Sequence, residues 1–216
     1  MKSILISIQP KWVEKILNGE KTIEIRKTYP KCELPIKVYV YCAYGKRLLN
    51  FSNEIYSCCL LDDNITKTKP KKLYRGNIIN GKVISEFVLN NTEVIRSIHG
   101  ITNDGHGSFQ CHELNDNILT KSCMTQEEIL NYTSGKDLYA WHIDNLKIYN
   151  EPKELNDFYK PLSDNDLENG NYDIDCGGEV SCMDYPEGGD FCATCKYGGA
   201  KPLKKAPQSW CYVEEI

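Results

Sequence analysis

Within its first 27 residues the chain changes hydrophobic periodicity twice, and this constrains the fold more than any other feature. "SILISI" is almost continuously apolar, the pattern of a largely buried strand spanning Lys2 to Ile8. Pro10 suits the first turn of a helix, where a missing N–H costs nothing. Trp12, Val13, Ile16 and Leu17 then fall on one helical face, and Gly19 stands where a left-handed C-cap is wanted. A second strand follows from Lys21 to Arg26, crowded with charge. Strand, short amphipathic helix and strand therefore form the opening unit.

The rest of the chain reads mostly as strands. "PIKVYVYCAYG", Pro35 to Gly45, has strong β propensity. Asn80-Gly81 is a hairpin dipeptide, and "KVISEFVLNNTEVI" after it reads as one long strand. Residues 46–76 are lysine-rich, and residues 97–120 lack periodicity and read as an inserted loop. "TQEEILNYTSG" predicts a helix with Thr125 as N-cap, Glu128 completing a capping box and Gly135 as C-cap. "LYAWHIDNLKIYN" follows as a strand, "EPKELNDFY" as a helical turn and "QSWCYVEEI" as a terminal strand pairing with the N-terminal half. Strands joined by hairpins and irregular loops predict an α+β fold, a small mixed or closed β-barrel with short flanking helices, rather than alternating βαβ units.

A length of 216 residues with 41% hydrophobic content suffices for one core. We expect a single domain over residues 1–216, with a Cys/Gly-rich loop inserted at 162–205. No run approaches the roughly 18 apolar residues of a membrane span, and no secretory signal opens the chain, so a cytoplasmic protein is expected. A net charge of -4 means that any nucleic-acid contact has to come from a local basic patch. The run Lys67, Lys69, Lys71, Lys72 and Arg75 is either such a patch or a solvated loop.

The charged second strand has two interpretations. As an edge strand, its charges are solvated and discourage aggregation. As a cleft wall, Arg26 offers bidentate donors to a phosphate or a base edge, and Glu24 orients it or accepts from a base amino group. Strand alternation places Thr22, Glu24 and Arg26 on one face and Lys21 on the other. Lys21 becomes a base if desolvation lowers its pKa. Tyr39, Tyr41, Tyr44, Trp141 and Trp210 are core residues or a stacking platform, and Trp12 is core. His142 is structural or a general base.

"ILNGEKT", "IEIRK", "KVYVYCAYGK", "GKVISEFV", "YAWHIDNLKIY" and "PQSWCYVEE" together resemble the ASCH domain family of prokaryotes and their phages, over about residues 2–90, 120–160 and 206–216. The resemblance implies a PUA-like barrel with a cleft lined by the strand after the first helix. PUA-like relatives bind RNA or read modified bases there. The function expected is therefore binding of RNA or a modified nucleoside by Lys21, Thr22, Glu24 and Arg26. One branch of the family removes the acetyl group from N4-acetylcytidine, using the lysine of "KT", a threonine two residues after that Thr and a distant glutamate. Lys21 and Thr22 match the pair, while Glu24 stands in the threonine's place. Glu86, Glu127 and Glu128 are candidates for the glutamate. An amidohydrolase with Lys21 as its catalytic residue is the alternative.

The chain has 11 cysteines, an odd number without an export signal, which argues against a disulfide framework. Seven are scattered. Cys176, Cys182, Cys192 and Cys195 cluster in "CGGEVSCMDYPEGGDFCATC", where four thiolates can close a tetrahedral structural zinc site. The alternative is a reduced, metal-free loop. The same loop is a candidate contact for a protein partner.

Overall fold

The structure, a computed structural model, describes residues 3–52, 55–60, 78–101, 108–133, 135–161 and 201–215. The opening unit forms as the sequence predicts. Strand β1 (Ser3–Ile8) leads into helix α1 (Pro10–Leu17), which buries Pro10, Val13, Ile16 and Leu17. Asn18 caps the helix, and Gly19 takes the left-handed conformation, φ +76°, that releases the chain. Strand β2 (Ile23–Arg26) is shorter than expected, because Lys21 and Thr22 precede its ladder.

Strand β3 (Ile36–Cys42) is followed by a hairpin of β4 (Arg47–Ser52) and β5 (Ile55–Leu60). The expected long strand after Gly81 divides into β6 (Val83–Leu89) and β7 (Thr92–Ile95). The stretch expected to be a loop forms the hairpin β8 (Ser97–Ile101) and β9 (Ser108–His112), then helix α2 (Asp116–Ser122). Helix α3 (Gln126–Tyr132) has the predicted capping box, but ends on Thr133 rather than Gly135. The next expected strand also divides, into β10 (Leu138–His142) and β11 (Asp144–Lys153). A 3-10 turn, Leu155–Asp157, precedes β12 (Phe158–Lys160), β13 (Lys201–Pro202) and β14 (Trp210–Glu215).

Both divisions have one cause: the chain changes sheet. β11, β6, β3, β1, β14, β12 and β13 form a seven-stranded sheet in that order, and β2, β10 and β7 form a separate three-stranded one. The fold is α+β and sheet-dominated, but the expected closed barrel is not what the described strands form. β14 does pair with β1, Ser3 opposite Val213, without closing a ring. β2 spends its ladder on β10, and side chains rather than backbone hydrogen bonds join it to β1.

The main core lies between the large sheet, α1 and Trp141, and includes Ile4, Ile6, Val38, Val40 and Phe87. A second packs Ile23, Ile25, Ile95 and Leu138 of the small sheet against Ile118 and Ile129 of α2 and α3. A third, on the other face of the large sheet, gathers Leu5, Tyr39, Tyr41, Val83, Phe158 and Val213. No described helix is long and apolar enough to cross a membrane. Cys32, Cys42, Cys58, Cys111, Cys123 and Cys211 are not in disulfides. Cys176, Cys182, Cys192 and Cys195, and the basic run from Lys67 to Arg75, lie outside the described residues.

Candidate functional site

β2 is the edge of its three-stranded ladder, yet all four of its residues are buried. Solvated edge charge therefore does not describe it. Ile23 and Ile25 enter the second core, which turns Glu24 and Arg26 the other way, toward β1 and the C-terminal strand. Lys21 joins them because it lies before the strand, where alternation does not hold. Its exposure is 1%, against 6% for Glu24 and 7% for Arg26.

The three form a chain of charge with Glu24 in the middle. Lys21 Nζ lies 3.3 Å from Glu24 Oε2, and Arg26 Nε lies 3.1 Å from Oε1. The Arg26 Nε–H is not aimed at that oxygen, so the contact is one of charge rather than a directed hydrogen bond. The guanidinium donates instead from Nη2 to the Ser7 carbonyl at 2.8 Å and, more weakly, from Nη1 to Ser209 Oγ at 3.4 Å. Lys21 donates to the Ser122 carbonyl at 2.7 Å, placing a cation at the C-terminus of α2. Burial pushes the Lys21 pKa down, and the Glu24 carboxylate opposes it. One carboxylate thus stands between two cations in a place water barely reaches.

Thr22 is not part of this group. Its side chain is exposed, and its backbone N–H donates to the Lys121 carbonyl. Three neighbours were not singled out as site residues. Trp12 is partly buried, with Lys21 Nζ 5.1 Å and Lys11 Nζ 4.2 Å from its ring centre. Tyr132 lies beside Arg26; burial raises its pKa and the guanidinium opposes that. Helical spacing did signal Trp12, but as core. Nothing in the sequence links Tyr132 to Arg26, because the contact is tertiary.

The aromatic candidates separate. Trp141 is fully buried opposite Glu24 in the ladder, and its indole donates to the Thr28 carbonyl. Trp210 sits 5.7 Å from it and donates to Thr28 Oγ1 at 2.9 Å. Tyr39 and Tyr41 are buried in the third core, and Tyr44 is exposed. His142 meets Glu93 at 2.6 Å, away from the charged chain. Among the candidate glutamates, Glu128 pairs with Lys11 beside Trp12, Glu127 is exposed, and Glu86 lies on the far face of the large sheet beside Tyr39. No three metal-ligating side chains converge among the described residues.

No family model and no curated protein sequence matches the chain. Among solved structures, the chain is similar to an ASCH protein from Zymomonas mobilis, at 14% identity and a TM-score of 0.41, over 98% of this chain and 87% of that one. A mutant form of the same protein gives 15% identity and a TM-score of 0.38, over 72% and 77% of the two chains.

Proposed function

We propose that the chain recognises RNA or a modified nucleoside beside β2, with Lys21, Glu24 and Arg26 as the polar wall. The observation that carries this is the buried charge chain, in which two cations share one carboxylate. Such a site favours an electron-rich partner, and a phosphate or a base carbonyl supplies one. Trp12 and Tyr132 flank it and would stack on a base or donate to it. Thr22 stays in the proposal as an exposed residue at the margin. Titration of the protein with cytidine, N4-acetylcytidine and a single-stranded RNA tests it. Tyr132→Phe, which keeps the ring and removes the hydroxyl, should weaken binding at an unchanged melting temperature. Arg26→Ala should cost about 1–3 kcal/mol of binding, the worth of one bidentate contact. Wild-type affinity in both variants would refute the site.

A second function is supported by the lowered pKa of Lys21. A buried amine with more neutral character suits an amidohydrolase of N4-acetylcytidine-like nucleosides. Glu24 in the threonine's place argues against it. Under this alternative, Lys21→Ala removes turnover and leaves ground-state binding largely intact.

We also propose that Cys176, Cys182, Cys192 and Cys195 hold one structural zinc. Four soft thiolates suit that ion and leave no open position for catalysis. A protein partner would engage the same loop.

A further inference from the structure

The outer face of the large sheet carries a second charged group, on the opposite side from the main core. Backbone register sets Tyr39 of β3 and Lys147 of β11 on either side of Glu86 of β6. Strand alternation adds Lys37 beside Tyr39 and Tyr149 beside Lys147. Lys153, at the end of β11, lies over the Tyr149 ring at 4.8 Å and 6.0 Å from that of Tyr39.

Glu86 is spread thin. One oxygen accepts from the Tyr149 hydroxyl at 2.5 Å and lies 3.6 Å from Lys37; the other lies 3.8 Å from Lys147. Burial opposes its ionisation, but the Tyr149 hydroxyl and Lys37, Lys147 and Lys153 outweigh that and hold its carboxyl below the usual range. Lys153 shows the opposite imbalance. Burial lowers its pKa, Glu86 raises it, Lys37 and Lys147 lower it further, and Asp157 is felt most weakly. Lys37, Lys147 and Lys153 stand here against Glu86, with Asp157 more weakly felt and Glu151 between Tyr149 and Lys153 on β11, and Lys37 and Lys147 reach solvent at 45% and 69% side-chain exposure.

The net charge of the chain conceals this. Residues 162–200 carry nine Asp and Glu against one Lys. From totals of 26 basic and 30 acidic residues, the remaining chain keeps 25 against 21. Outside that one segment the chain is therefore basic.

We propose that this face binds the phosphodiester backbone of single-stranded RNA, through Lys37 of β3 and Lys147 and Lys153 of β11, on either side of β6. The proposal rests on the reading of the protein as an RNA binder, but not on the site beside β2. Neighbouring strands are about 4.8 Å apart, so Lys37 and Lys147 stand on strands about 10 Å apart. A polyanion crossing the strands meets each ammonium in turn, whereas a single small anion reaches only part of the array.

The test measures the affinity of a fluorescent oligouridylate over roughly 50 to 200 mM salt. Each phosphate contact on a single strand contributes about 0.7 to the slope of log affinity against log salt. The double variant Lys37→Gln/Lys147→Gln should therefore bind more weakly, with a slope shallower by about 1.4. The exposed control pair Lys46→Gln/Lys136→Gln should match the wild type. An unchanged slope in the first double variant overturns the proposal, as does a wild type that fails to bind the oligonucleotide. A loss confined to inorganic tripolyphosphate binding overturns it too, because the face would then serve a small anion. Tyr132→Phe separates the two sites. If it binds like the wild type while the lysine variant loses slope, the site beside β2 fails and this one stands.

Discussion

Glu24 is the residue on which the buried charge chain turns. Its removal leaves Lys21 and Arg26 facing each other without a counter-charge. Breaking a buried pair from one side costs about 3–5 kcal/mol, whereas substitutions at solvated positions stay within about 0.5 kcal/mol. Urea denaturation of Glu24→Gln should show the larger loss; a change within the smaller range would return β2 to the role of a solvated edge. Lys21 adds a pH dependence. Its folded pKa lies below its unfolded one, so the folded state releases this proton first as pH rises. Its charged form therefore costs stability below the lowered pKa, and the cost fades as pH passes through that pKa toward 10.5. The wild type should gain stability relative to Lys21→Met as pH rises toward 10.5, and parallel melting curves would disprove this. The chemistry of these residues was readable in "EKTIEIRK", but their grouping was not. Strict alternation separated Lys21 from Glu24 and Arg26 and grouped Thr22 with them, both wrongly, because it took the ladder to begin two residues early.

Elements with a local signature were readable from sequence, and elements without one were not. The capping box of α3 is a pattern within four residues, and both of its hydrogen bonds form. Thr125→Ala should cost about 1 kcal/mol, measurable as a lower melting temperature. Glu128 would keep its bond to Lys11, which ties α3 to α1. By contrast, β8 alternates poorly because most of its residues are exposed, so no apolar stripe announced it. Helix α2 did carry a signal, Asn115 accepting from the Ile118 N–H, but seven residues offer too few turns for periodicity to show. The sheet changes after Leu89 and His142 were invisible for another reason. A strand that leaves one sheet for another keeps its β propensity throughout, and only the partners differ.

At the scale of the molecule, β14 lies inside the large sheet, between β1 and β12. Deleting residues 207–216 strips β1 of a partner and detaches β12 and β13, and the product should show no cooperative melting transition. An unchanged melting temperature would mean that β14 is dispensable. The zinc proposal predicts about one zinc per chain by elemental analysis. Cys192→Ser should abolish it while the melting temperature of the sheets holds; four freely titratable thiols in metal-free protein would refute the site. Pairing of the terminal strand with the N-terminal half was readable from its aromatic and β-branched residues. Closure was not, because it depends on whether backbone or side chains bridge β2 and β1, and here Arg26 does so.

The ladder that sets Ser3 opposite Val213 also imposes an order on biosynthesis. β1 is made about 200 residues before the strand that covers its second edge. At about 5–20 residues per second, a ribosome needs roughly 10–40 s to supply β14. For that interval β1 has β3 on one side and an open, apolar edge on the other, a template for pairing with another chain. A nascent chain in this condition suits a chaperone that binds extended apolar segments. Contacts so distant in sequence also make spontaneous refolding slow, since the longest loop must close before the central ladder is complete.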